Sequence, residues 1–362
     1  MDSSIFCVLC GGPFELESHI YNIDTEREAF QWINSVHLLG SPEAISPYSD
    51  LVILGDDEDL QNTSNSDDVF LSMETSWTSM DGDLLRIGNS FVQVLSDHDT
   101  GEVMFPLHGS CIAIASRVIE TRHTPSRTRS SLARLNRALQ DQFRFRKYFA
   151  GGVGNDLFDL YAEYSNYGPR SLLAIDELGW WGDAHEKFLM DPINIPNLTS
   201  FLFSAVQATP RRCSRAALIG LPERWPQELE RLPTEILDRI TEFLPPKSII
   251  ALHRTSRTLA RNVPLDERFW RNHILDGSLL PHIWDLTREQ LEYPRPGDQQ
   301  SGSCFDIQWG WKSIVKLLFK KEFPLCGGDS RLEGVPLGFW NRCRIWKIVE
   351  EACPAQAKIR PA

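Results

Sequence analysis

The most regular alternation of apolar and polar positions in the chain lies at residues 232–246, LPTEILDRITEFLPP. Pro233 suits the first turn of a helix, where its missing N–H is not needed. Apolar side chains then recur at i, i+1, i+4, i+7 and i+8, which places them on one helical face. They are Ile236, Leu237, Ile240, Phe243 and Leu244. Two consecutive prolines follow and cannot continue the helix, so the pattern predicts a short amphipathic helix bounded by proline on both sides.

Further short helices are predicted to complete a module at residues 228–275. The segments KSIIALHRTSRTLARNV and LDERFWRNHIL carry apolar faces of their own, the last of them with Phe269 and Trp270. Three or four helices in so short a segment bury only a small core. Little is left in the module to cover Leu232 and Pro233 at its start. The pattern therefore indicates a helical module that is completed by a partner.

Near the N-terminus, the segment EREAFQWINSVHLLG has apolar side chains at helical spacing. Phe30, Ile33 and the pair Val36-His37 recur on one side, and the Gly-Ser-Pro that starts at Gly40 stops the run. The spacing predicts a helix that extends through Val36 and His37.

A hairpin and a buried helix are predicted next. Two β-favouring runs within residues 91–111 flank the turn-forming sequence DHDTG at 97–101. The segment GSCIAIASRVIE then has the apolar content of a buried helix, with Gly109 or Ser110 near its cap.

These patterns together predict an α+β fold that is rich in helix. A small zinc-knuckle-like α/β domain would occupy residues 1–125, followed by a basic helical middle and linker at 126–227. The helical module at 228–275 would precede a Trp-rich helical region at 276–362. Seven of the eleven tryptophans follow residue 220, which indicates that this last region packs on the helical module.

Charge is distributed unevenly along the chain. The net charge of -12 disfavours nucleic acid as the main partner. Residues 50–68 hold seven acidic side chains and predict a solvated, partly disordered loop, whereas residues 117–147 hold nine basic against two acidic ones. The basic segment either binds an acidic partner or forms a solvated face that neutralises the acidic loop. The second interpretation is favoured, because base-stacking aromatic residues are not interleaved through most of it.

Composition indicates the cellular compartment of the protein and the role of its cysteine side chains. Apolar residues make up 42% and charged residues 24% of the 362 positions, as in ordinary globular proteins. No run approaches the roughly 18 to 20 apolar residues that cross a bilayer, and the N-terminal residues lack the basic region of a secretory signal. We therefore expect a cytoplasmic or nuclear protein. In such a compartment the eight cysteines are expected to bind metal or to pack in the core in preference to forming disulfides.

One set of cysteine and histidine residues has the spacing of metal ligands. Cys7 and Cys10 form a C-x-x-C followed by two glycines, and His108 and Cys111 have the same two-residue gap. The four would make a Cys₃His set without an open position, which is typical of a structural zinc site. The fold must bring the two pairs together for the site to exist. The rival histidine ligands are His19, His37 and His98.

The segment LPTEILDRITEFLPPKSIIALHRTSRTLARNVPLDERFW closely resembles the F-box. It has Leu-Pro, an Ile/Leu helix, Phe-Leu-Pro, a second helix, Ser-Arg and a late Phe-Trp, although Leu259 stands where the family often has tryptophan. The resemblance implies binding to a Skp-family adaptor and, through it, to a cullin–RING ubiquitin ligase. It also implies which residues form or support the adaptor-facing surface. They are Leu232, Pro233, Ile236, Leu237, Ile240 and Leu244.

A wider resemblance extends beyond that segment. The N-terminal CVLCGGPF, WGWKSIVKLLF at 309–319 and FWNRCRIWKIVEE at 339–351 are similar to motifs of a group of filamentous-fungal F-box proteins. The group is defined by its N-terminal CxxCGGPF motif. Such a protein would act on an unidentified substrate protein.

The chain lacks the sequence signatures of a catalytic site. It has no G-x-S-x-G, no H-E-x-x-H and no Walker loop, and Leu157 replaces the third glycine of a G-x-G-x-x-G. Two non-enzymatic hypotheses follow. The first is an F-box adaptor that brings a substrate protein to a ubiquitin ligase. The second is a zinc-stabilised structural or chromatin-associated protein that binds an acidic partner without a ligase, through Arg127, Arg129, Arg134 and Arg137.

Overall fold

The computed structural model of the chain divides into two compact units. The first consists of Met1–Pro196, Glu322–Cys326 and Val335–Ala362, and the second of Asn197–Lys321 and Gly327–Gly334. Within them the structure describes residues 5–16, 24–41, 44, 69–75, 84–87, 90–95, 102–122, 131–148, 157–158, 186–207, 228–286, 310–319 and 332–353. The predicted acidic loop at 50–68 lies outside these residues.

The strands of the first unit form two small antiparallel sheets. The strands are β1 (Val36–Gly40), β2 (Phe70–Leu71), β3 (Leu84–Ile87), β4 (Ser90–Gln93) and β5 (Phe105–His108). Strand β1 lies between β2 and β5, and its register pairs Val36 with His108 and Leu39 with Leu71. Strands β3 and β4 pair only with each other among the described residues.

Helices make up most of the remaining described structure, so the predicted α+β, helix-rich fold is confirmed. A 3₁₀ helix spans Glu28–Asn34. The α-helices of the first unit are α1 (Gly109–Arg122), α2 (Ser131–Tyr148), α3 (Glu186–Leu189) and, near the C-terminus, α10 (Leu337–Ala352). Those of the second unit are α4 (Leu198–Gln207), α5 (Thr234–Glu242), α6 (Pro246–His253), α7 (Arg257–Asn262), α8 (Glu267–Leu275) and α9 (Trp311–Leu318).

One of the local predictions for the N-terminal residues is wrong, and another is met only in part. The 3₁₀ helix buries Phe30 and Ile33, but Val36 and His37 belong to β1 and not to a helix. The amide of Thr75 donates to the carbonyl of Val36 at 2.8 Å, so pairing with distant strands overrides the local helical spacing. The two runs of the predicted hairpin are joined by a backbone hydrogen bond from the amide of Leu95 to the carbonyl of Met104 at 3.0 Å, but β4 and β5 lie in different sheets. Its turn, DHDTG, lies outside the described residues.

The core of the first unit is built around α10. This helix packs on α1 and α3, while α1 also packs on α2. Phe339, Trp340 and Trp346 of α10 are buried, and so are the isoleucines and the valine of α1. The predicted buried helix that starts at Gly109 is therefore present as α1.

The second unit contains the short helices predicted at residues 228–275. The buried residues of their core are Leu237, Ile249, Leu259 and Val263. The Oγ of Ser256 caps α7 by accepting from the amide of Leu259, and a carboxylate oxygen of Asp266 caps α8 in the same way. Helix α9 packs on both α8 and α4, and it buries Trp311.

The structure divides the predicted Trp-rich region at 276–362 between the two units. Helix α9 belongs to the second unit and α10 to the first. The reason lies in the buried polar residues of α10. Asn341 donates to the carbonyls of Phe188 and Met190, and Arg342 donates to those of Pro192 and Ile193.

Candidate metal centre and partner-binding face

The fold brings together the four residues that the sequence predicts as metal ligands. Cys7, Cys10, His108 and Cys111 are all buried, and their ligand atoms lie within 4.8 Å of one another. The Nδ1 of His108 is 3.3 Å from the Sγ of Cys10 and 3.9 Å from the Sγ of Cys111. Ligand atoms around a tetrahedral zinc ion lie about 3.5 to 3.8 Å apart, given Zn–S and Zn–N bonds of about 2.3 and 2.0 Å. The four residues could therefore hold a metal ion.

A tight backbone turn presents the first two cysteines. The amide of Gly11 donates to the carbonyl of Cys7 at 2.7 Å, and Gly11 has a φ of 69°, which glycine adopts without strain. The amide of Gly12 then points at the Sγ of Cys10, at 3.3 Å. A Cβ atom at Gly12 would lie 3.2 Å from that sulfur. Both glycines of the motif thus let the backbone close around the sulfur atoms.

The imidazole of His108 is held in the orientation that a metal ligand requires. Its Nε2 lies 2.9 Å from the carbonyl oxygen of Pro13, and it donates this hydrogen bond because a carbonyl only accepts. The rings of Phe14 and Trp32 pack edge-on against it, with centroids 4.7 and 4.9 Å away. Nδ1 consequently faces the sulfur atoms, as in metal sites where the other ring nitrogen binds a carbonyl.

The electrostatics of the cluster favour a bound cation. Burial alone would raise the pKa of Cys7, but hydrogen bonds with Cys10 and Cys111 and the charge of His108 hold that pKa well below its usual value. Burial would lower the pKa of His108, yet the charges of Cys10 and Cys7 raise it to about 10. Burial, with hydrogen bonds to the same two thiols, raises the pKa of Cys111 well above its usual value. A metal ion at this position would replace protons on the ligands.

The rival histidines do not join this cluster in the described structure. The Nδ1 of His37 lies 3.0 Å from the carbonyl oxygen of Ser72, at the side of β1. His19 and His98 lie outside the described residues. Among the part of the chain that the structure describes, His108 is the histidine that completes the three cysteines.

A buried arginine beside the cluster was not singled out by the sequence pattern. Arg344 of α10 is 1% exposed, and its Nη1 donates to the carbonyl of Cys10 at 2.8 Å. Its Nε and Nη2 donate to the Oδ1 of Asn341. A charged residue among the apolar positions of FWNRCRIWKIVEE was the available signal, because buried charges are rare unless they are partnered.

In the second unit, α5 has one apolar side inside the core and another on the surface. Leu237 is completely buried. Ile236 is 47% exposed and Phe243 is 84% exposed, although both are large apolar residues. Ile236, Ile240 and Phe243 are spaced i, i+4 and i+7 and therefore share one side of the helix.

The six residues that the resemblance assigns to an adaptor-facing surface consequently differ in position. Pro233 and Ile236 are exposed, and Ile240 is half-buried. Leu232 and Leu244 are partly buried against the core, while Leu237 lies inside it. Phe243 was not among the six, although its place on the apolar face of the predicted helix was visible in the sequence.

The basic segment at 117–147 makes contacts within the first unit. The guanidinium of Arg144 pairs with the carboxylate of Glu102, and Arg122 donates to the carbonyls of Glu350 and Cys353. Arg137 is exposed on α2, whereas Arg127 and Arg129 lie outside the described residues. Binding of an acidic partner through this segment remains a prediction.

Comparison with protein families identifies the second unit's helical module. Residues 229–276, which include α5 to α8, match the family model described as F-box-like. This match supports an F-box protein, and F-box domains generally bind Skp-family adaptors within cullin complexes. F-box proteins are typically non-enzymatic, which is consistent with the absence of catalytic motifs in the sequence. Neither curated proteins nor solved structures yielded a match to the chain.

Among the residues that the structure describes, no helix has the length and apolarity needed to cross a bilayer.

Proposed function

We propose that this chain is an F-box adaptor that links a substrate protein to a Skp-family adaptor and a cullin–RING ubiquitin ligase. The observation that carries the proposal is the exposed apolar side of α5 within the segment that matches the F-box-like family. An apolar helix face that a module leaves in solvent is a common recognition surface for another protein's helices.

The proposed contact face consists of Pro233, Ile236, Ile240 and Phe243. Phe243 follows the last residue of α5 and is 84% exposed. Large apolar residues at the centre of an interface contribute most of its binding energy when a partner removes them from water. Leu232, Leu237 and Leu244 support this face from the core side, since they fix α5 against the other helices.

Zinc is the metal proposed for Cys7, Cys10, His108 and Cys111. Three thiolates and one imidazole form a common structural zinc set, and all four positions are filled by the protein. A zinc ion held there would cross-link the N-terminal loop to the junction of β5 and α1. The role proposed for it is therefore structural and not catalytic.

Co-purification with a Skp-family adaptor tests the adaptor role. The double variant Ile236→Asp/Phe243→Asp places two charges on the proposed face. Met73→Asp is the matched control, because Met73 is an apolar residue of the first unit that is 54% exposed. Each lost anchor residue is worth about 2 kcal/mol or more, so the double variant should bind at least about 700-fold more weakly.

The native chain and Met73→Asp should elute with the co-expressed adaptor on a sizing column, and the double variant should elute alone. Unchanged far-UV circular dichroism and melting temperature of the double variant would show that folding is intact. Co-elution of the folded double variant would place the binding surface elsewhere. Failure of the native chain to bind any Skp-family adaptor tested would refute the adaptor role.

A further inference from the structure

The proposed zinc centre would carry a net negative charge inside the first unit. Three thiolates contribute three negative charges and a divalent ion two positive ones, while a neutral imidazole adds none. The ligand residues are at most 2% exposed, so water screens this charge poorly. A buried net charge is unfavourable unless another charge compensates for it.

Arg344 places a permanent positive charge next to this centre. Its guanidinium binds the carbonyl of Cys10, one of the ligand residues, and stays protonated at any physiological pH. Asn341 accepts two further hydrogen bonds from the same guanidinium at 3.2 and 3.0 Å, which fixes its plane. The residue also lines a small cavity together with Cys10 and His108.

A second basic side chain, that of Lys187, lies close to Arg344. The carbon Cζ of Arg344 and the Nζ of Lys187 lie over the same ring, that of Phe188, at 4.8 and 5.2 Å from its centroid. Burial and the positive charge of Arg344 lower the pKa of Lys187 to about 8. Phe188 and Arg344 line the same small cavity as Cys10 and His108, so the two basic side chains lie on the side of the core that faces the proposed centre.

We propose that Arg344 is a positioning residue of the metal centre, which compensates the single negative charge of a divalent ion bound by three thiolates and one histidine. This inference rests on the proposed zinc site. It also concerns selectivity, since a monovalent ion would leave one more negative charge uncompensated and a trivalent ion would leave none to compensate. Arg344 thus favours divalent ions through charge, in addition to the preference that the ligand types impose.

Metal titration of the full-length chain tests the proposal. Cobalt(II) serves as a spectroscopic probe, because its absorption reports thiolate ligation and tetrahedral geometry, and competition with zinc then gives the zinc affinity. Arg344→Met removes the charge but keeps a long side chain, whereas Arg344→Lys keeps the charge. Arg342→Met is the matched control, because Arg342 is also buried on α10 but donates to the carbonyls of Pro192 and Ile193.

Loss of a residue of this kind commonly weakens metal binding by about 10- to 100-fold. We expect such a loss in Arg344→Met, a smaller loss in Arg344→Lys and a change of less than about 2-fold in Arg342→Met. Equal zinc affinity of Arg344→Met and the native chain would overturn the proposal while leaving the zinc site intact. Absence of the cobalt spectrum in the native chain would refute the zinc site itself, and the role of Arg344 with it.

Circular dichroism checks that each variant is folded. If Arg344→Met does not fold, the comparison uses Arg344→Gln and Arg344→Lys, of which only the second retains the charge. Tighter zinc binding by Arg344→Lys than by Arg344→Gln supports charge compensation. Equal binding by the two variants shows that the arginine acts through hydrogen bonding and packing alone.

Discussion

The two units place their polar and apolar groups in opposite ways. In the first unit, polar side chains are buried and join residues that are far apart in sequence, as when the indole of Trp32 donates to the carbonyl of Leu189 or Arg344 to that of Cys10. In the second unit, the caps of α7 and α8 join residues three positions apart, the core of the helical module consists of apolar residues, and Phe243 is left in solvent.

This difference reflects two ways of specifying a structure. A buried polar group is stable only in the arrangement that satisfies it, so the first unit gains a unique arrangement from a small number of distant contacts. The second unit is specified by local helix signals and a small core, which leaves α5 free to offer an apolar face to a partner. Substitutions of the same kind should consequently have different effects in the two units.

The largest effect is expected from a ligand of the proposed metal centre. Cys10→Ser should reduce zinc content after a chelator challenge and abolish the stabilisation that zinc provides. That stabilisation is about 4 kcal/mol when free zinc exceeds its dissociation constant a thousandfold. Cys343→Ser is the control, because Cys343 is equally buried on α10, and it should retain zinc and lose only about 1 to 2 kcal/mol. Metal analysis measures the zinc content of the two variants, and thermal unfolding measures their stability. Equal zinc retention in the two variants would contradict the proposed ligand set.

The second comparison contrasts the two sides of α5. Leu237→Ala removes a completely buried side chain from the second unit's core and should reduce the free energy of unfolding by about 3 kcal/mol. Phe243→Ala removes a larger side chain that lies mostly in water, so we expect a change within about 0.5 kcal/mol. Urea denaturation, monitored by circular dichroism, measures both changes. Comparable losses would mean that Phe243 is packed in the free protein and not available to a partner.

The third comparison concerns two glycines. Replacing a helical glycine by alanine usually stabilises a helix by about 1 kcal/mol. At Gly338 of α10 a Cβ would clash with the carbonyl oxygen of Asp191, so Gly338→Ala should instead destabilise the first unit by about 2 kcal/mol. Gly277 of the second unit has open space around it but a φ of 73°, so Gly277→Ala should cost about 1 kcal/mol through backbone strain alone. Thermal unfolding compares the two. Stabilisation by Gly338→Ala would show that α10 is not held so closely against residue 191.

The sequence predicts the features that depend on local spacing. The gap between Cys7 and Cys10 and the equal gap between His108 and Cys111 indicate metal ligands, and the fold brings the two pairs together as required. The helix that begins at Gly109 and the short helices around α5 are also predicted, because their apolar periodicity is strong.

Features that depend on distant pairing could not be predicted in this way. Val36 and His37 fit a helical pattern, but their place in β1 is decided by β2 and β5, which are remote in sequence. The position of α10 depends on carbonyl groups between residues 188 and 193, whose direction leaves no trace in side-chain patterning. The contact of Arg344 with Cys10 becomes visible only when the fold places the N-terminal turn beside α10.

The hydrogen bond between Arg344 and Cys10 also bears on how the protein is made. The two residues are 334 positions apart, so at ribosomal rates of about 5 to 20 residues per second roughly 17 to 67 s separate their synthesis. The module of α5 to α8 lies between them, and its apolar core draws only on residues within 229–276, so we expect this core to form before the first unit is complete. A nascent chain would thus expose the proposed adaptor-binding face before Arg344, which contacts the proposed metal centre, has been synthesised.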